Sequence, residues 1–213
     1  ADSLKQNTTG AQNTAVGYAG LNKNTTASNN TALGYNSLKE NTTGASNVAV
    51  GANSLDANTT GQENTAVGQG ALTSNTTASN NTAVGSNALL SNTTGTGNVA
   101  VGHDCMETNN ADQCTAVGFE AMKSNSTGTQ NTAVGSNALR ANSTGYHNTC
   151  IGYVAGDAIS TGYYNTAVGR AALSSATTAA RNTAVGWKCL DQATSSDNTA
   201  VGSDCLESLT TGS

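Results

Sequence analysis

One phrase constrains this chain more than any other feature. Asn-Thr-Ala-Val-Gly recurs along its whole length with small variations, its glycines standing at Gly17, Gly34, Gly51, Gly68, Gly85, Gly102, Gly118, Gly135, Gly152, Gly169, Gly186 and Gly202. Nine of the intervals are 17 residues and two are 16. The unit reads N-T-A-V-G-x-x-A-L-x-x-N-T-T-G-x-x. Such a period is too short for a helix pair or a propeller blade and fits one turn of a β-helix. Thr and Val favour strands, while Asn and Gly favour the turns between them. The expected fold is therefore all-β: a parallel β-solenoid, or β-roll, of about twelve 17-residue coils. It forms a single repeat domain over residues 1–213 with uncapped ends. Coils stacked at the ~4.8 Å strand spacing would make a rod of roughly 58 Å.

Composition alone would argue for disorder, since 10% of residues are charged and 4% aromatic. Disordered tracts do not hold an apolar column in register over twelve copies, and this chain does. The net charge of −5 excludes the basic footprint that nucleic acid requires. No apolar run approaches the ~18 residues of a membrane span.

Read as columns, the repeat separates into faces. The residue before each glycine is Val in most coils, Leu33 and Ile151 in two, and polar in none. Two positions earlier stands Thr, replaced by Val48 and Val99. Residues two apart in a strand share a face, so Thr and Val are expected to point into the coil. A second apolar column, four after the glycine, runs Leu21, Leu38, Leu55, Leu72, Leu89, Met106, Met122, Leu139, Leu173, Leu190 and Leu206, with Gly156 as the exception. Between Thr and Val lies a third column: Ala15, Ala32, Ala49, Ala66, Ala83, Ala100, Ala116, Ala133, Cys150, Ala167, Ala184 and Ala200. It faces the other way and never turns polar, which is the pattern of a strand buried on both sides. This column is the expected seam of a homo-oligomer, with a trimer as the favoured closed assembly. The Asn before each Thr forms a further column, broken by Cys114, whose amides can bond along a ladder.

The N-T-A-V-G and N-V-A-V-G phrases resemble the head repeats of YadA-like trimeric autotransporter adhesins and related repeats in phage and viral tail fibres. The resemblance implies a left-handed coil, a trimer, an extracellular location on a cell surface, virion fibre or secreted filament, and binding to a host-surface glycan or protein.

Enzymatic chemistry is not expected. His103 and His147 lie apart in the repeat, carboxylates such as Glu40, Asp56, Glu63 and Glu120 are scattered, and no cofactor or metal spacing recurs. Both 16-residue intervals carry cysteines. Cys189 and Cys205 share a column one coil apart, within the Cα range of a disulfide, and Cys105 with Cys114 brackets the first short coil. Each pair reads equally as a disulfide or as small buried residues. Aromatic residues concentrate late in the chain. Tyr146, His147, Tyr153, Tyr163, Tyr164 and Trp187 are the candidate surface ligand contacts, with packing between coils as the alternative. Asn7, Asn24, Asn41, Asn58, Asn75, Asn92, Asn125 and Asn142 are formal glycosylation sequons, each explained equally by turn chemistry.

The expected function is an extracellular structural or adhesive rod, a segment of a trimeric adhesin or tail fibre. Two alternatives stand beside it. One is a self-assembling filament formed by end-to-end polymerisation. The other is an ice-binding solenoid using the Thr25/Thr26, Thr42/Thr43 and Thr59/Thr60 ladders.

Overall fold

The computed structural model describes residues 2–209. The chain is an all-β parallel solenoid with one coil per sequence repeat, and no helix occurs among the described residues. It divides into two compact units, residues 1–110 and 111–213. Unit 1 carries β1 (Thr14–Val16), β2 (Thr31–Leu33), β3 (Val48–Val50), β4 (Thr65–Val67), β5 (Thr82–Val84) and β6 (Val99–Val101). Unit 2 carries β7 (Thr115–Val117), β8 (Thr132–Val134), β9 (Thr149–Ile151), β10 (Thr166–Val168), β11 (Thr183–Val185) and β12 (Thr199–Val201). The boundary falls in the first 16-residue interval.

Within each unit, every strand pairs in parallel with the next and like residues face like. Thr65 meets Thr82, Ala66 meets Ala83, and Val67 meets Val84. Register is therefore fixed by the repeat itself. The turns bond in the same sense, each coil to its neighbour, as in Leu55 N–H to the Ala71 carbonyl (3.0 Å) and Thr59 N–H to Thr76 (2.8 Å). Backbone groups thus find partners outside the short strands as well as within them.

The strand faces are the reverse of the sequence expectation. The Ala column is the inner one: from Ala32 to Ala184 it has 0% exposure within a single chain. The Thr and Val columns point outward, with Val16 55% and Ile151 39% exposed. The Ala column is therefore core, not an oligomer seam, and the Val column is not core. The reason is interior volume. Each typical coil already buries one Leu or Met, two Asn and a small residue three after the glycine. A strand Val turned inward would overpack that space, at about 1–3 kcal/mol per site.

One coil tests this account. Cys150 is the only larger residue in the Ala column, and its coil also carries Gly156 in place of Leu. A Cβ built on Gly156 would lie 2.6 Å from Cys150 Sγ and 3.0 Å from Ile159 Cδ1. The Ala and Leu columns thus share one interior space. The coil trades a Leu for the sum of a Cys and an Ile.

The apolar column four after the glycine reaches the interior by a left-handed backbone, with φ 49° at Leu55 and 51° at Met106. This conformation costs a non-glycine residue roughly 1–2 kcal/mol. Full burial of the side chain, worth about 1.5–3 kcal/mol, offsets it. The glycine after each strand has a stricter demand. Gly68 has φ +140°, and a Cβ there would stand 2.3 Å from the Gly85 carbonyl oxygen of the next coil. Backbone conformation and coil spacing both require glycine there.

Candidate functional site

The interior polar groups are occupied by structure. Asn residues preceding the strands form one ladder. Asn47 Nδ2 donates to the Gly61 carbonyl of the next coil (2.8 Å), while its Oδ1 accepts the backbone N–H of Asn64 (3.0 Å). A second ladder is built from the Asn of Asn-Thr-Thr. Asn58 Nδ2 donates to Asn41 Oδ1 (2.9 Å) and to the Gly61 carbonyl (3.0 Å), and its Oδ1 accepts from Asn75 Nδ2 (2.9 Å). The sequons from Asn24 to Asn142 therefore lie in the core, at 0% exposure. An oligosaccharide has no access to those amides in the folded chain. The ladder reading of these residues is the one the geometry supports.

The second ladder stops in unit 2. Asn142 is its last member, because Ile159, Ala176 and Ala193 fill the column in the coils that follow. Asn142 Oδ1 consequently receives no hydrogen bond among the described residues.

The cysteines divide by column, and the structure holds all five as thiols. Cys105 sits three after its glycine in unit 1, whereas Cys114 occupies the Asn column in unit 2, so the two do not stack in one column. Cys114 takes over the Asn role, its thiol donating to the Gly128 carbonyl (3.2 Å). Burial pushes the Cys105 and Cys150 thiols up to about 12, so both stay protonated at neutral pH. Cys189 and Cys205 do stack. Cys189 is buried and Cys205 half-buried, and the Leu190 N–H bonds to the Cys205 carbonyl (2.9 Å).

The outer surface carries two features. The first is the strand face itself, a Thr column beside a Val column, repeated at every coil. Val16, Leu33, Val117, Ile151 and Val201 are all exposed large apolar residues on it. Sequence reasoning missed this face. The signal was present in Val48 and Val99, where Val stands in the Thr column.

The second feature is the aromatic set, which lies in unit 2. Tyr146 and Tyr163 stack at 5.1 Å with planes 2° apart, and His147 and Tyr164 stack at 4.8 Å and 8°. The four rings also meet edge to face, Tyr146 with Tyr164 at 5.5 Å. Arg181 covers Tyr163 at 5.9 Å, donates to its hydroxyl (3.2 Å), and grips Asp197 through two nitrogens (2.5 and 2.7 Å). This ion pair holds the Asp197 carboxyl below its usual range. Tyr153 lies elsewhere in the coil, beneath Arg170 at 5.8 Å, and Trp187 beneath Lys188 at 5.4 Å. The rings thus pack on one another and on cations, while Tyr146, Tyr153, Tyr164 and Trp187 remain exposed. Arg170 and Arg181, which complete these stacks, were not foreseen. In unit 1, Tyr18 and Tyr35 stack similarly at 5.4 Å.

The Thr-Thr pairs show one side chain each to solvent. Thr26, Thr43 and Thr60 are exposed, while the Thr before each, Thr25, Thr42 and Thr59, is half-buried. The first hydroxyl is committed to backbone, as in Thr42 Oγ1 to the Thr59 carbonyl (3.0 Å).

No family model, curated protein or solved structure matches this chain. No described helix is long and apolar enough to cross a membrane.

Proposed function

We propose that this chain is a structural, adhesive solenoid segment of an extracellular fibre or surface adhesin, and that it works as a homo-oligomer joined along the outward Thr/Val face. The observation that carries the reading is that face. It turns a large aliphatic residue outward at every coil, exposed at Val16, Leu33, Val117, Ile151 and Val201 and half-buried at the others, and exposed apolar surface of this kind marks an interaction site. A covering partner must match a stripe that repeats once per coil, and an identical chain supplies that period. A closed trimer is the favoured assembly, in keeping with the likeness of the Asn-Thr-Ala-Val-Gly phrases to trimeric adhesin heads. Chemistry on a substrate is not part of this reading, because the buried amides are engaged in coil-to-coil bonds.

Light scattering on a size-exclusion column tests it. The wild-type chain is expected at three times its 21.1 kDa mass. Val67→Lys with Val84→Lys is expected to yield monomer with an unchanged circular dichroism spectrum, because both side chains project outward from β4 and β5. A monomeric wild type would end the proposal. Large polydisperse species would favour the end-to-end filament instead.

A further inference from the structure

The thiols of Cys189 and Cys205 form a pair that the fold assembles and the oligomer reading does not use. Both stand three residues after their glycines, Gly186 and Gly202, in adjacent coils of unit 2. The coils are held in register there by the β11–β12 pairing, in which Thr183 faces Thr199 and Val185 faces Val201. Two further bonds lock the segment in place: Leu190 N–H to the Cys205 carbonyl (2.9 Å) and Gln192 N–H to Glu207 (2.8 Å). Same-column residues of neighbouring coils are separated by about the strand spacing of 4.8 Å, inside the Cα window for a disulfide. Cys189 Sγ also contacts the Ala200 carbonyl of the following coil (3.2 Å), so its side chain already reaches toward the partner coil.

The place of the pair gives it a role. The second Asn ladder, which ties coil to coil through side-chain amides, ends at Asn142. From there Ile159, Ala176 and Ala193 fill its column with groups that donate and accept nothing. The interval holding Cys189 is also one residue short, at 16 instead of 17. This part of unit 2 lacks the amides of the second ladder, and it carries two cysteines in register.

We propose that Cys189 and Cys205 are a redox site that closes to an intrachain disulfide, clamping adjacent coils where the second Asn ladder is missing. The oxidant is a small-molecule or protein disulfide. The Cys205 thiolate, on the more accessible residue, attacks one sulfur of that disulfide, forming a mixed disulfide and expelling one thiolate. The Cys189 thiolate then attacks Cys205 Sγ and expels the second. Two protein thiols lose two protons and two electrons, and the oxidant leaves as two thiols. Burial raises the Cys189 thiol above its ordinary range, so the closing step accelerates as pH rises. This inference stands apart from the oligomer reading, since both sulfurs belong to one chain.

Trypsin supplies a direct readout, because no Lys or Arg follows Lys188 and both cysteines fall in the peptide 189–213. The chain is incubated, natively and in parallel during refolding from urea, with excess glutathione disulfide. It is then alkylated under denaturing conditions and digested. The expected peptide lacks two hydrogens, takes no alkyl group, and gains two alkyl groups once reduced. The oxidised chain is expected to melt higher than the reduced one, and Cys205→Ser to abolish that difference. A peptide 189–213 that carries two alkyl groups or two glutathione adducts under both regimes overturns the proposal. So does a redox-dependent melting shift that persists in Cys205→Ser.

Discussion

Asn58 offers the sharpest test of what holds the coils together. It is fully buried and makes three side-chain hydrogen bonds within the second ladder, to Asn41, Gly61 and Asn75. Asn58→Ala removes all three. Asn75 keeps its bond to the Ala78 carbonyl, and the Gly61 carbonyl keeps the amide of Asn47. Asn41 Oδ1 is stranded, because Asn58 supplies its hydrogen bond in the ladder. A net hydrogen bond contributes about 1 kcal/mol, and a stranded buried acceptor costs about 1–3 kcal/mol. Three lost bonds and one stranded acceptor together put the cost of the substitution at roughly 4–6 kcal/mol. Asn142→Ala is the control. That residue makes only two such bonds, to Asn125 and Gly145, and its own Oδ1 is already unpartnered. Its removal loses one bond fewer and relieves an acceptor that is already stranded, so its cost should be lower by at least about 2 kcal/mol. Stacked repeats open locally, so native-state amide exchange in the coils flanking each substitution is the appropriate assay. Equal losses at the two sites, or a loss below about 1 kcal/mol at Asn58, would show that the ladder is not a stabilising element.

Two further outcomes follow from the same interior. Gly156→Leu restores the repeat consensus yet should destabilise unit 2, because the new side chain meets Cys150 Sγ and Ile159 Cδ1; thermal melts of G156L alone and with Cys150→Ala and Ile159→Asn would show whether the triple change recovers stability. Asp157 has a buried, unpartnered Oδ1, and desolvation raises its carboxyl above the ordinary value, against the attraction of Arg140. A carboxyl raised in the folded state binds its proton more tightly there than when unfolded, so its ionisation weakens the fold as pH rises through that window. Asp157→Asn should therefore melt above wild type at neutral pH, with the difference shrinking as pH falls through the carboxylate range. A difference independent of pH would refute that assignment.

Cysteine and aromatic residues show how far single positions could be read. The shared column of Cys189 and Cys205 was legible because register follows directly from the repeat. Cys114 was harder, since its role depends on a carbonyl 14 residues away that only the coil brings near. Clustering of the aromatics was legible too. Their commitment to Arg170, Arg181 and one another depends on side-chain direction at turns with positive φ, as at His147 and Tyr164, which spacing does not reveal.

The repeat by itself determined the coil, its period, the in-register columns and the two-sided apolar strand. Each of these follows from translation by one repeat, which places identical residues over one another. What only the tertiary structure decided is which side of the strand faces in. Period-two alternation separates Ala from Thr and Val but cannot orient them when both sets are compatible with burial. The choice is made by volume. Leu enters on left-handed backbone and two Asn ladders enter from the turns, and the space left across from them admits Ala and turns Val out to solvent.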